Sequence, residues 1–347
     1  MTHKQWLCAF LSLVVLLLSV FGGLTYWVDP LLQFRQENPR ITYYEYDEVY
    51  SNPGIAMHYD YNALLVGTSL IQNTDVAEFR ELMDCDLIRL PYSGGTACNM
   101  KAILDIAFSS HNSIEYVYWE LNKHQLVMPY DEPVNPLPEY LYSNNYPLSF
   151  SYLLNLDIFY RFTMQNIIGT VQGKEQSAPR EGLTFTGTYS KEEALSQYDR
   201  IDQVEPVFPE TYYLQAGQDN LDKNLLPLIR ENPDTTFVFI MVPLSTLFWD
   251  YEIRHGTFDA TFALYEHILP QLLEYDNVEI HFMLNEWDII TNLDNYKDFS
   301  HYSPEINSYI TQKLAERSAL LTKNNYASIL ADTRYLLSVY DYDSIFP

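Results

Sequence analysis

The chain has 347 residues, of which 47% are hydrophobic and 19% charged, so a sizeable core is available and wholesale disorder is excluded. Acidic residues outnumber basic ones 46 to 20, for a net charge of −26 with no basic stripe interrupting it. A surface this negative repels phosphate backbones, so no nucleic-acid partner is expected.

The first element is an uncharged run from Leu7 to Val28. At about 1.5 Å of rise per residue this run matches a hydrocarbon core of about 30 Å. The competing reading is a cleaved signal peptide, whose apolar part usually spans about 7–15 residues and ends at small residues. No such site follows here. Tyr26 and Trp27 suit an interfacial aromatic belt instead, and residues 1–28 are read as an uncleaved anchor. A short amino-terminal tail before a long domain favours a single-pass protein of the cell membrane with its folded part extracytoplasmic. Cys8 lies inside the apolar run, and Cys85 and Cys98 are expected to be buried thiols, since two cysteines make no disulfide framework.

Residues 29–57 read as an irregular connector and 58–347 as the main domain. ALLVGTS (Ala63 to Ser69) is a short apolar run ending in a small-residue turn, as a buried strand should be. A helix is predicted over Asp75–Met83, a second strand over Asp86–Gly95, a helix capped by Thr96 and running to Phe108, and a third strand over Ile114–Leu121. Residues 126–218 break this rhythm with proline- and aromatic-rich sequence and read as an insertion over one end of the sheet, with SYLLNLDIFYRFTMQNIIGTV as a helix inside it. The alternation resumes with a helix over Asp219–Arg230, strands over Thr236–Pro243 and Asn277–Leu284, a helix between them around Phe258–Tyr275, and a last helix from near Ser303. Five strands separated by helices predict an α/β fold, a parallel five-stranded sheet with helices on both faces. Such sheets place their chemistry at the carboxyl ends of the strands.

Four places there carry candidate residues. Ser69 follows the first strand, where it is either a nucleophile or a helix cap. Gly94 and Gly95 follow the second, where paired glycines let backbone approach a ligand or simply make the turn. Asn122 follows the third, as an amide donor or a local cap. Asp298 and His301 follow the fifth, three residues apart, before a helix opened by Ser303 and Pro304. No H-E-x-x-H, Cys–His ligand spacing or Walker-type loop is present, so neither metal nor cofactor is expected.

These pieces, in this order, resemble the SGNH hydrolases, whose blocks are a serine after strand one, a glycine after strand two, an asparagine after strand three and D-x-x-H after the last strand. The resemblance spans roughly Tyr61 to Ile310. It extends to an anchored bacterial cell-surface branch through Asp29-Pro30 and the N-P-G-I-A-x-H-Y-D-Y-N stretch before Gly67-Thr68-Ser69. Thr68 stands where the G-D-S version has an acid, and Leu121-Asn122 lacks the G-x-N-D context. The resemblance implies a three-layer flavodoxin-like fold. It also implies a triad of Ser69, Asp298 and His301, with an oxyanion hole drawn from Ser69, Gly94, Gly95 and Asn122. The implied activity is that of a serine esterase or acyltransferase on acetyl or D-alanyl esters of a cell-envelope glycan, such as a teichoic-acid-type substrate, beside a membrane-bound O-acyltransferase. The alternative is a non-catalytic assembly partner of that transferase. A glycosidase would need two carboxylates about 5–9 Å apart, and no pair stands out among the 46 acids.

Overall fold

The structure, a computed structural model, describes residues 2–44, 46–110, 113–143, 149–176, 184 and 186–346. Contacts group the chain into two compact units. Unit 1 comprises Met1–Asp60, Asp105–Asn112 and Asn135–Leu183; unit 2 comprises Tyr61–Leu104, Ser113–Val134 and Thr184–Pro347.

Helix α1 (His3–Val28) begins in a capping box: Thr2 Oγ1 accepts the Gln5 N–H and Gln5 Oε1 accepts the Thr2 N–H. It is long and apolar enough to cross a membrane, a length and composition that a signal sequence also satisfies. Most of its side chains are exposed, but Gly22, Thr25 and Val28 in its last two turns are buried. Asp29 ends the helix in the left-handed region, at φ 49°. Its carboxylate then accepts the N–H groups of Gln33, Phe34 and Arg35 and the hydroxyl of Tyr152. The connector expected to be irregular contains helix α2 (Glu48–His58), which Asp47 starts by accepting the Val49 and Tyr50 N–H groups. Pro53 lies inside this helix and reads locally as a turn signal, but Val49 and residues 51–56 are buried in the fold.

Unit 2 opens with β1 (Ala63–Gly67), α3 (Val76–Met83), β2 (Leu87–Pro91), α4 (Ala97–Ser110, continuing into unit 1), β3 (Tyr116–Glu120) and the short α5 (Lys123–Val127). β1 and β2 are buried throughout and β3 at all but its first residue, as strands covered on both faces require. Unit 1 then resumes with α6 (Ser149–Leu153), α7 (Leu156–Ile158) and α8 (Met164–Gln172), the last two joined by a π turn at Phe159–Thr163. The single helix expected here is interrupted because Asn155 caps the Asp157 and Ile158 N–H groups and starts a new turn. Leu31, Leu141, Tyr152, Ile158 and Phe162 form a buried cluster of unit 1.

The remainder belongs to unit 2: α9 (Lys191–Ser196), α10 (Leu214–Asn220), α11 (Leu226–Glu231), β4 (Thr236–Met241), α12 (Thr246–Arg254), α13 (Phe258–Leu272), β5 (Val278–Phe282), α14 (Trp287–Ile290), α15 (Pro304–Glu316), β6 (Leu320–Leu321) and α16 (Tyr326–Val339). The sheet order is β2-β1-β3-β4-β5-β6. The first five strands are parallel, but the expected five-stranded parallel sheet gains a sixth strand, antiparallel to β5 through Ile280–Leu321 and His281–Leu320. Two residues are too few to display a strand's alternation, so β6 leaves no periodic signal. The fold is therefore mixed α/β, with helices around a mostly parallel sheet. α3 and α15 lie over the face bearing Tyr116, Tyr118 and Val238, while α13 packs against α10 and α16. α12 and α16 were not expected, and the helix from Pro304 is not the last. Cys85 and Cys98 are half-buried rather than buried, and no disulfide joins them.

Candidate active site

The strand order reverses beside β1: the chain goes from β1 outward to β2, then back past β1 to β3. The carboxyl ends of β1 and β3 thus send their chains apart, and sheets of this kind place their sites at such a switch point. Thr68 and Ser69 leave β1 there, and Ser69 begins a 3-10 turn, Ser69–Ile71.

The turn is set by what lies under it. The carboxylate of Glu120, the last residue of β3, accepts both the Thr68 N–H and the Thr68 hydroxyl through Oε2, each at 2.9 Å. Gly67 makes this approach possible, since a Cβ there would stand 2.7 Å from the Glu120 Cβ. The other Glu120 oxygen accepts Asn122 Nδ2 at 2.8 Å. Glu120 is fully buried, and burial drives its pKa up from the ordinary carboxylate value against the opposing pull of the Thr68 and Asn122 hydrogen bonds.

The second half of the site is the turn between Tyr296 and Tyr302, which pair in an isolated antiparallel bridge. The Lys297 N–H closes it by donating to the His301 carbonyl. The end of β4 pins it: the Tyr296 hydroxyl donates to the Pro243 carbonyl at 2.9 Å and the Ser245 hydroxyl to the Phe299 carbonyl at 2.7 Å. Within the turn, Asp298 Oδ1 accepts the N–H groups of Ser300 and His301, leaving Oδ2 for the imidazole. His301 Nδ1 lies 2.7 Å from Asp298 Oδ2, and His301 Nε2 lies 2.7 Å from Ser69 Oγ. Burial works to raise the Asp298 carboxyl, but the His301 imidazole and the two N–H groups outweigh it and hold the pKa below the ordinary carboxylate value.

Ser69, Asp298 and His301 therefore meet across 232 residues of sequence. The two glycines differ. Gly94 is exposed and at φ +64°, with its carbonyl accepting His124 Nε2 at 3.1 Å, whereas the Gly95 N–H is already engaged with the Tyr92 carbonyl at 2.8 Å. Asn122 does cap α5, its Oδ1 accepting the Gln125 N–H, but its amide also supports Glu120. Glu120 is the site residue that sequence reasoning passed over. Its signal was a carboxylate inside the apolar run YVYWEL, where a charge is retained only with partners. Among the described residues no group of three or more His, Cys, Asp or Glu side chains could hold a metal ion.

No family model and no curated protein matches the chain. A solved structure described, as a provisional assignment, as a platelet activating factor from Streptococcus pneumonia is similar at 9% identity and a TM-score of 0.43, over 78% of this chain and 90% of that one. A likeness that distant carries no function across. What the site can do rests on its geometry: a hydroxyl, an imidazole and a carboxylate in hydrogen-bonded series, able to pass the hydroxyl proton to the ring.

Proposed function

We propose that this chain is a membrane-anchored, extracytoplasmic serine esterase or acyltransferase of the SGNH type, acting on acetyl or D-alanyl esters of a cell-envelope glycan. The observation that carries the reading is the Ser69–His301–Asp298 series, with both hydrogen bonds at 2.7 Å. Ser69 Oγ attacks the ester carbonyl while His301 Nε2 takes its proton. Asp298 fixes the proton on Nδ1 and stabilises the imidazolium. The oxyanion is held by the N–H of Ser69, which stands first in its turn and so lacks an intrahelical acceptor, by that of Gly94, and by the Asn122 amide. His301 then gives its proton to the leaving alcohol. The acyl-serine passes its acyl group to water or to a sugar hydroxyl, with His301 as base again.

Phe299 lies between the two catalytic side chains in sequence, parallel to the Phe248 ring at 6.2 Å between centroids and tilted against Tyr251 at 5.8 Å. Aromatic rings offer the apolar faces on which a sugar packs, which supports a glycan as the acyl carrier. A membrane-bound O-acyltransferase is the partner that fits an anchored enzyme of this kind.

Hydrolysis of p-nitrophenyl acetate by the full chain tests the reading. Ser69→Ala and His301→Ala are each expected to lower kcat by up to about 10⁶-fold, the scale for removing a member of such a triad. Wild-type turnover in Ser69→Ala would rule the mechanism out.

A further inference from the structure

Unit 1 presents an apolar surface that the chemistry above does not use, directly beside the end of α1. The Phe21 and Phe159 rings stack with centroids 4.2 Å apart, and the Thr25 and Thr163 hydroxyls lie 3.5 Å apart. A Cβ on Gly22 would stand 3.2 Å from the Leu154 Cδ2. The two contact pairs, 21 with 159 and 25 with 163, advance by the same four residues. Residues 159–163 therefore run alongside α1 in the same direction, and Leu154 also lies at the level of Gly22.

Phe21 precedes the end of α1 at Val28 by seven residues, which is about 10 Å of helix. With a hydrocarbon core of about 30 Å, the level of Phe21 falls in the outer part of the bilayer when α1 spans it. Leu154 and Tyr160 near that level are 40% and 63% exposed, and Phe150 and Leu156 on the same segment are 69% and 63% exposed, while Tyr152, Ile158 and Phe162 are buried. Asp157, beside Leu156, pairs with Arg161 at 3.2 Å, and Arg161 also reaches Asp47. A surface of this composition in water is unfavourable, but in the headgroup–acyl boundary it is the usual face of a monotopic contact.

We propose that the tip formed by Ser149–Leu153 and Leu156–Tyr160 inserts into the outer boundary of the lipid bilayer beside α1. Unit 1 then grips the membrane at two points, the span and the tip. The occupant is lipid because the patch is continuous with the span. This inference rests on α1 being membrane-embedded and not on the triad.

Nitroxide accessibility in the full chain, reconstituted in phosphatidylcholine vesicles with Cys8, Cys85 and Cys98 replaced by serine, tests it. Labels on Phe150→Cys and Leu156→Cys are expected to collide with oxygen several-fold more often than with a water-soluble nickel chelate, as a label on Leu16→Cys within the span does. A label on Tyr335→Cys, 65% exposed in unit 2, is expected to show the reverse order. Labels at 150 and 156 that behave like the one at 335 would overturn the proposal. Shielding from both reagents would assign the patch to a protein, either a transferase or a second copy, and overturn it equally. Water-like behaviour at 16 would remove the span and the tip with it. An acyl-chain diazirine lipid makes the same test on the unsubstituted chain: adducts are expected in the 149–160 peptide as well as in α1, and adducts confined to α1 would refute the tip.

Discussion

Asp298 and Glu252 each hold a nitrogen base at 2.7 Å, yet their surroundings differ at the far end of that base. Glu252 is 2% exposed at its side chain, and both its oxygens bind Lys123 Nζ. Its Oε2 also accepts the Thr257 and Thr261 hydroxyls at 2.9 and 2.7 Å, and the Lys123 ammonium lies 4.6 Å from the centre of the Tyr213 ring. That assembly is nearly enclosed, with 12% of the Lys123 side chain exposed. Asp298 and His301 are 21% and 25% exposed, and the second imidazole nitrogen meets a hydroxyl on a half-buried turn. A largely enclosed pair holds the fold together, whereas a partly exposed pair whose imidazole meets a hydroxyl can move a proton.

The comparison can be broken from either side. Asp298→Asn leaves the shape of the turn but removes the charge that fixes the tautomer. kcat on a p-nitrophenyl ester is expected to fall about 10⁴-fold, with a melting temperature close to wild type. Lys123→Met leaves Glu252 buried without its cation and is expected to cost about 3–5 kcal/mol in urea unfolding. In that variant kcat per folded molecule should stay near wild type. Equal damage to both properties in both variants would erase the distinction.

Two smaller effects sharpen it at Glu120, which combines the burial of Glu252 with a place beneath the Thr68–Ser69 turn. Asn122→Ala removes one of the Glu120 hydrogen bonds and the proposed oxyanion donor, and is expected to lower kcat about 10²-fold with little change in KM. Glu120 has its pKa raised on folding, so it contributes stability below its unfolded value. Between that value and the folded one the native state binds the extra proton, and stability falls as pH rises. Glu120→Gln, measured by urea unfolding from pH 4 upward, is expected to flatten that part of the profile. An unchanged slope would mean that Glu120 is not the group responsible.

How much of this was legible in the sequence depended on whether a residue's role was local. β1 to β5 showed as apolar runs because a covered parallel strand must be apolar on both faces. Asp298 and His301 stood out because the turn that holds them is one short segment. β6 was hidden because its place comes from the β5 edge and not from its own two residues. α2 was hidden by Pro53, a turn signal inside a helix whose Val49 and residues 51–56 are buried only once the chain has folded. Glu120 was hidden because its partners, Thr68 and Asn122, become its neighbours only once β1 and β3 are paired. Gly95 read as equivalent to Gly94 because the residue type does not show that its N–H is engaged with the Tyr92 carbonyl inside its own turn.

The most direct test of the central claim is intact-mass analysis of the full chain after reaction with a fluorophosphonate, which modifies only a serine whose hydroxyl is activated by a base. One adduct per chain, mapped to Ser69 and absent from Ser69→Ala and His301→Ala, is the expected result. No adduct on the wild-type chain, or an adduct that survives loss of His301, would contradict the account.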